Sequence, residues 1–287
     1  MHPAFVVRAP VAPAAPLILD SPHSGNRLPD DFCAIVTETE LRDTEDCYVD
    51  ELYDAAPRHG AALLAATFPR SYIDPNRHPG DVDRELIEGL VEADWPWEFR
   101  PSGKARLGKS LVWRTLEDGR PIYARKLAPE EVKRRIERYH APYHAALRAL
   151  LDESHARFGV VYHVNCHSMK AVAGKQSDDP EGSVRADFVL GDRDGTTCER
   201  GFTELTRATL AAMGYQVKVN DPYKGVELVR AYSDSRNGRH SLQIEINRRL
   251  YLDRETLAKS AGFGALQANL GKLVAALAGY ARGKARG

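Results

Sequence analysis

Short apolar runs alternate along this chain with longer segments in which apolar residues recur at helical spacing. Apolar runs bounded by turn-forming residues predict strands at 17–19, 61–66, 160–164, 187–190, 215–219 and 242–246. Helical spacing predicts helices at 39–56, 129–158, 197–213 and 254–281. We expect Pro142 to kink the second helix and Gly262 to be a possible break in the last. The alternation is typical of an α/β protein. We therefore predict a mixed sheet flanked by helices, in a single domain over residues 1–287.

Two segments carry too many turn-forming residues for regular structure. Residues 68–84 contain three prolines together with Asn76 and Gly80, so we predict that they are mostly loop. A loop of this length inside a compact domain is usually functional or disordered. Residues 94–109 are also irregular, and the sequence does not assign them.

Composition and charge narrow the class of protein. Forty basic residues balance forty acidic ones, so no overall field attracts nucleic acid or an anionic membrane. We find no apolar run long enough to span a bilayer and no signal-peptide pattern. The four cysteines are widely spaced and form no C-x-x-C pair, which favours a reducing compartment. We expect a soluble cytoplasmic protein.

Two histidines occur beside predicted strands. His23 comes shortly after the strand at 17–19, and His167 follows the apolar run that begins at Val160. In open α/β sheets, ligands collect beyond the carboxyl ends of strands. A catalytic zinc usually takes three protein ligands and keeps one position for water. The two imidazoles are therefore candidate zinc ligands, and the alternative is that each is a buried histidine bonded to backbone.

Carboxylates that could complete such a site occur in two places. Asp43, Asp46 and Asp50 lie in the helix predicted at 39–56, and the sequence does not choose among them. An acidic stripe of this kind is most often solvated. Glu245 lies in the strand predicted at 242–246, on the face opposite Ile244. If that face is buried, Glu245 is suited to proton transfer; if it faces water, Glu245 is an ordinary surface acid.

Arginines in two segments could bind a carboxylate. Arg77, in the loop at 68–84, and Arg230 each present a guanidinium that can hold a carboxylate through two parallel hydrogen bonds. The alternative for each is a surface arginine. His140 and His144 share a predicted helix face, but no H-E-x-x-H motif is present, so we expect a surface pair. The chain also lacks a phosphate-binding loop and a G-x-S-x-G motif.

Six segments together resemble the N-formylglutamate amidohydrolase family. They occur in the family's order over roughly residues 17–250, at 21–25, 46–53, 72–77, 165–168, 223–225 and 243–245. The resemblance implies a zinc-dependent hydrolase with a phosphorylase/hydrolase-like α/β fold, related in architecture to the zinc carboxypeptidases. It matches metal-ligand positions to His23, Asp46 and His167, and the general base to Glu245. It also matches a carboxylate-binding pair to Asn76 and Arg77, and a second substrate-binding segment to Arg230.

The chain departs from the family pattern at several positions. Many members carry Asp-Ala-His-Ser where this chain has Asn-Cys-His-Ser at 165–168, and Asp-Thr-Asp-Trp where it has Thr-Glu-Asp-Cys at 44–47. Members often have an arginine where this chain has Lys170. The matched metal-ligand positions are retained, whereas residues around them differ.

The activity that the resemblance implies is cleavage of an N-formyl or N-acyl amino acid, above all N-formyl-L-glutamate, to formate and L-glutamate. Zinc would lower the pKa of its water to about 7 and so supply hydroxide. Glu245 would take the water's proton and pass it to the leaving amine. The partner is thus a small molecule with a free carboxylate, without nucleic acid or membrane. Alternatives are a zinc hydrolase of other N-acyl amino acids or small peptides, and a carboxylate-binding protein without activity.

Overall fold

The structure is a computed structural model that describes residues 3–177 and 179–285. Within these ranges the strands are β1 (Phe5–Arg8), β2 (Leu17–Ser21), β3 (Ala62–Ala66), β4 (Val161–Met169), β5 (Phe188–Gly191), β6 (Val217–Val219) and β7 (Arg239–Asn247). The helices are α1 (Glu38–Arg42), α2 (Val49–Leu52), α3 (Pro129–Arg135), α4 (Ala141–Phe158), α5 (Arg200–Ala212), α6 (Glu227–Ala231) and α7 (Phe263–Lys284). Every strand predicted from the apolar runs is present, so that part of the prediction is confirmed.

The strands form one seven-stranded mixed sheet in the order β1-β3-β2-β4-β7-β5-β6. The pairs β2–β3, β2–β4, β4–β7 and β5–β6 are parallel, and β5–β7 is antiparallel. The central strands β2 and β4 are buried along their whole length, as parallel strands covered by helices usually are. The prediction of an α/β fold with a mixed sheet is confirmed.

The described chain divides into two compact units. The first comprises the described residues up to Val6, together with Pro22–Cys47 and Ala66–Ala145. It contains α1, α3 and long stretches of turns. The second comprises Val7–Ser21, Tyr48–Ala65 and the described residues from Ala146 onward, and it contains most of the sheet. A single domain over residues 1–287 stays a prediction.

The helix predicted at 39–56 is wrong, because two short helices form there. Thr37 and Glu40 make a capping box that begins α1, which ends at Arg42. The chain then turns until Tyr48, whose φ of 60° lies in the left-handed region and cannot continue a helix. Asp46 and Asp50 therefore do not share a helix face, and Asp46 lies in the turn between α1 and α2.

The last predicted helix begins later than expected, at Phe263 rather than at residue 254. The Asp253 carboxylate accepts the backbone N–H groups of Glu255 and Thr256, which forms a local turn that competes with the helix. A short helix, α6, also forms at Glu227–Ala231, where none was predicted.

The helix predicted around Pro142 forms in two parts. A π-helical turn at Ile136–His140 joins α3 to α4, and the N–H of Ala141 donates to the carbonyl of Ile136. Pro142, two residues after this turn, has no N–H to donate, so the regular hydrogen-bond ladder is interrupted there. Of the described residues, none belongs to a helix that is long and apolar enough to cross a membrane.

Candidate active site

His23 lies two residues after β2 and is only 1% exposed. Its Nδ1 is 3.3 Å from Oδ2 of Asp46, and its Nε2 is 2.7 Å from Oδ1 of Asp74. The main chain supports the first contact, because the N–H of Asp46 donates to the carbonyl of His23 at 2.9 Å. The turn between α1 and α2 thus presents the Asp46 carboxylate to the ring.

Asp74, in the loop at 68–84, holds the other side of the His23 ring. The Arg70 guanidinium donates two hydrogen bonds to Asp74 Oδ2, at 3.2 and 2.8 Å. Burial by itself would raise the pKa of Asp74, but the charge of Arg70 and the hydrogen bond from His23 hold it well below its usual value. An ionised Asp74 only accepts, so His23 donates from Nε2 and its lone pair is on Nδ1.

The sequence did not predict a role for Asp74. Its oxygen atoms contact His23, which is 51 positions away, and Arg70, which is four positions away. A signal was present, since Asp74 stands two residues before the matched Asn76 in a loop expected to be functional. A carboxylate that orients a ligand histidine is a recurrent feature of metal sites.

His167 lies in β4 and ends a buried polar chain. Asn165 Oδ1 accepts from His167 Nε2 at 2.6 Å, and Asn165 Nδ2 donates to Asp20 Oδ1 at 2.7 Å. The same Asp20 oxygen is 2.8 Å from His163 Nε2, while His163 Nδ1 is 2.7 Å from Ser241 Oγ. We call these five residues the His167 chain.

The strand register explains the His167 chain. Asp20 on β2 is the register partner of Asn165 on β4, and Ser241 on β7 is the partner of His163. Residues 163, 165 and 167 alternate onto one face of β4. Because Asn165 turns its amide nitrogen to Asp20, its oxygen accepts from His167 Nε2. The lone pair of His167 is therefore also on Nδ1.

His23, Asp46 and His167 together form a group that could hold a metal ion. Each offers one ligand atom, these atoms lie within 4.8 Å of one another, and all three residues are buried. It is the one group of its kind among the residues that the structure describes. Two imidazoles and one carboxylate are a ligand set that zinc accepts, with a fourth position left for water. Of the three candidate acids, Asp46 belongs to this group and Asp43 and Asp50 do not.

Glu245 lies on β7 as the register partner of His167. It is 8% exposed, and Gln243 and Asn247 on the same face of the strand are also buried. The sequence did not decide whether the strand face that carries Glu245 is buried; in the structure this face is directed into protein. Gln243 Nε2 donates to Glu245 Oε1 at 2.9 Å, which fixes the orientation of the carboxylate.

Arg185 is a second residue for which the sequence did not predict a role. Burial alone would lower the pKa of this buried arginine, but Asp179, Tyr223 and Glu245 raise it above its usual value. Its guanidinium donates to both carboxylate oxygens of Asp179 and lies 5.3 Å from the centre of the Tyr223 ring. A fixed positive charge therefore acts on Glu245.

The residues matched to substrate binding differ in their surroundings. Asn76 is buried, and its N–H donates to Asp74 Oδ1 at 2.8 Å. The Nε of Arg77 is buried, has no hydrogen-bond partner in the described structure, and lies 3.9 Å from Asp81 Oδ2. Arg230 lies on α6 with its side chain 45% exposed, and its guanidinium pairs with Glu227.

The expectation that His140 and His144 form a surface pair is wrong. His140 is 4% exposed, and its Nε2 donates to the carbonyl of Arg77 at 2.9 Å. His144 Nε2 donates to the carbonyl of Pro75 at 2.8 Å. The helix turns the face that carries both rings toward the 75–77 turn. The sequence could not show this, because that turn lies more than 60 positions away.

Comparisons with known proteins show which family the chain belongs to. A sequence model of the N-formylglutamate amidohydrolase family matches residues 15–252. N-formylglutamate deformylases from Pseudomonas putida and Pseudomonas aeruginosa are 31% and 30% identical to this chain over 242 and 244 residues. These matches cover 83% and 84% of this chain, and 82% and 83% of the relatives.

A solved structure extends the agreement to the fold. The crystal structure of N-formylglutamate amidohydrolase from Ralstonia eutropha JMP134 matches with a TM-score of 0.92 and 47% identity. The match covers 97% of this chain and 98% of the chain in that crystal structure. The resemblance found in the sequence is confirmed, and the chain belongs to the N-formylglutamate amidohydrolase family.

Proposed function

We propose that this protein is a zinc-dependent amidohydrolase that cleaves N-formyl-L-glutamate to formate and L-glutamate. The observation that carries the proposal is the buried group of His23, Asp46 and His167, with ligand atoms within 4.8 Å of one another. The deformylases and the amidohydrolase that this chain resembles support the choice of substrate.

The three ligand side chains fit a zinc ion. Asp74 and Asn165 each accept from the Nε2 of one histidine, so His23 and His167 would both present Nδ1, and Asp46 a carboxylate oxygen. A bound Zn²⁺ supplies a water whose pKa falls to about 7 and a positive charge that stabilises the developing oxyanion. A buried carboxylate such as Asp46 also gains a counter-charge in this arrangement.

Glu245 is the proposed general base. Its carboxylate would accept a proton from the attacking water and donate it to the nitrogen of the leaving amine as the amide C–N bond breaks. Its placement opposite His167 in the sheet register and its hydrogen bond from Gln243 support this role. The positive charge of Arg185 acts on this carboxylate and would support its role as the proton acceptor.

Asn76 and Arg77 are proposed to bind a carboxylate of the substrate. The buried Nε of Arg77 without a hydrogen-bond partner supports this role, since a buried donor of this kind needs an acceptor. Arg230 is proposed as a second, outer contact. Arg230 would have to break its ion pair with Glu227 before it could bind the substrate. We therefore expect it to contribute less to substrate binding than Arg77 does.

A substrate panel tests the proposal. Zinc-loaded protein is incubated with N-formyl-L-glutamate, N-acetyl-L-glutamate, N-formyl-L-leucine and a dipeptide, and formate or amine release is measured, with chelator-treated protein as the control. We expect N-formyl-L-glutamate to have the highest kcat/KM and chelation to abolish turnover. Preference for another member of the panel would assign a different N-acyl specificity. Binding of substrate without turnover of any member would assign a carboxylate-binding protein.

A further inference from the structure

We propose that His140 and His144 position the substrate-binding turn by hydrogen-bonding the two peptide groups on either side of Asn76 and Arg77. The inference rests on the proposed function, in which Asn76 and Arg77 hold a substrate carboxylate. Neither histidine touches the substrate in this proposal, so both are positioning residues.

The two histidines hold the turn from one side. His144 Nε2 donates to the Pro75 carbonyl at 2.8 Å, and His140 Nε2 donates to the Arg77 carbonyl at 2.9 Å. The first carbonyl belongs to the peptide group before Asn76, and the second to the peptide group after Arg77. Fixing both peptide planes restricts the backbone dihedrals between them, and with them the directions of the two side chains.

Asp74 holds the same turn from the other side. Its Oδ1 accepts the N–H of Asn76 at 2.8 Å, and its backbone carbonyl accepts the N–H of Arg77 at 3.1 Å. The main chain of the turn is therefore bonded at both N–H groups and at the two flanking carbonyls. A turn fixed in this way loses little conformational entropy when its side chains bind a ligand.

The rings also support each other. His140 and His144 are four residues apart on the helix, and their rings stack with centroids 4.2 Å apart and planes at 21°. The π-helical turn at Ile136–His140 ends at the first of the two rings. Burial, and secondarily His144, lowers the pKa of His140 to about 3, so this ring is neutral at pH 7 and Nε2 carries its proton.

His144 is the better residue to change, because it is less buried than His140. His144→Phe keeps a stacking ring and removes the N–H donor, whereas His144→Gln keeps a donor at similar reach. The matched control is His155→Phe. His155 lies on the same helix, α4, and donates to the carbonyl of Asn237 at 2.8 Å, so the control removes the same kind of bond elsewhere.

The experiment measures kcat and KM of zinc-loaded protein for N-formyl-L-glutamate. We expect His144→Phe to raise KM roughly tenfold to a hundredfold, since small misplacements of binding groups have effects of this size. We expect kcat to stay close to that of the wild type, because the lost interaction is one of binding. His144→Gln should recover most of the loss, and His155→Phe should leave KM unchanged.

A double-mutant cycle separates positioning from a general structural role. If His144 acts through Asn76 and Arg77, then His144→Phe should change KM little in a background that carries both Asn76→Ala and Arg77→Met. Additive effects on KM would overturn the inference. Equal KM for His144→Phe and wild type would also overturn it. Should His144→Phe not fold, His144→Asn replaces it, because asparagine carries a donor that is too short to reach the Pro75 carbonyl.

A binding measurement distinguishes failure of this inference from failure of the proposed function. Binding of glutarate, a dicarboxylate that cannot be hydrolysed, is measured by calorimetry on the same variants. Weaker binding by Arg77→Met and His144→Phe, with no turnover by the wild type, would reject the proposed function and support the positioning role. No binding of glutarate by the wild type would overturn the positioning role itself, because the turn would then bind no carboxylate.

Discussion

Single hydrogen bonds decide which nitrogen of each candidate ligand histidine would face a metal ion. His23 donates to a carboxylate, that of Asp74, and His167 donates to an amide, that of Asn165. A carboxylate partner makes an imidazole a stronger ligand than a neutral partner does. In the His167 chain the carboxylate belongs to Asp20, and Asn165 lies between this carboxylate and His167.

Asn165→Asp tests the His167 chain. The new carboxylate would lie at hydrogen-bond distance from Asp20 inside the sheet, where two negative charges cannot both be accommodated. We expect the free energy of unfolding at pH 7 to fall by about 1–3 kcal/mol, as measured by urea denaturation of metal-free protein. The matched control is the double variant that combines Asp20→Asn with Asn165→Asp, because it again has one carboxylate and one amide at these two positions. Wild-type stability of the single variant would contradict this account.

Glu245→Gln tests the general base. The amide cannot accept the proton of the attacking water, so we expect kcat to fall by roughly 10²–10⁴-fold. Zinc content, measured by elemental analysis, should stay at the wild-type value. Glu153→Gln removes a charge on an exposed part of α4 and should leave kcat unchanged. Full activity of Glu245→Gln with zinc bound would exclude the role.

At the scale of secondary-structure elements, the position of His23 depends on a close approach between two segments of the chain. After β2 the chain crosses residues 67 and 68 so closely that a Cβ on Gly25 would lie 2.5 Å from Phe68 N and closer still to the Thr67 carbonyl carbon. Arg27 then donates its N–H to the carbonyl of Thr67 at 2.9 Å. Glycine at position 25 is what allows the segment that carries His23 to take this path.

Gly25→Ala tests this close approach. The added methyl group meets backbone atoms, which cannot move aside as a flexible side chain would, so the segment must shift. We expect a loss of about 1–3 kcal/mol in the free energy of unfolding and weaker zinc binding in a chelator competition assay. Gly279→Ala is the control, because its Cβ would meet nothing within 4 Å on an exposed part of α7. That change should stabilise the protein by roughly 0.5–1 kcal/mol.

At the scale of the whole molecule, buried neutral histidine makes stability depend on pH. The pKa of His140 is about 3 in the folded protein, against an ordinary value of 6.5, chiefly because of burial. The nearby ionisable groups that act on it are His144, Asp74 and His78. Between these two pH values the unfolded chain binds a proton that the folded protein does not. The contribution of His140 is thus fully present above pH 6.5 and is lost as the pH falls toward 3.

Urea denaturation of metal-free protein at pH 7 and pH 5 measures this contribution. We expect the free energy of unfolding to decrease below pH 6.5, with His140 contributing at most about 1.4 kcal/mol per pH unit. His140→Gln cannot take up a proton and should show a shallower decrease. His155→Gln serves as the control for the substitution itself, because it replaces a histidine at a more exposed position. Parallel curves for wild type and His140→Gln would contradict the assignment.

Much of this protein could be predicted from the sequence because the relevant signals are local. Each predicted strand was marked by a short apolar run, and each of the six family segments is only a few residues long. The helix at 39–56 was mispredicted for the opposite reason. Apolar spacing suggested one helix, but the capping box at Thr37 and the left-handed Tyr48 produce two, with Asp46 in the turn between them.

The sequence by itself determined the fold class, the family and a short set of candidate residues that includes His23, His167 and Glu245. The tertiary structure alone decided that Asp46 joins the two histidines, and that Asp74 orients His23. It also showed that His140 and His144, expected to be a surface pair, donate to the carbonyls of Arg77 and Pro75. These facts depend on residues that are 23 or more positions apart in the sequence. Such contacts are created by the path of the folded chain, and no local pattern of residues encodes them.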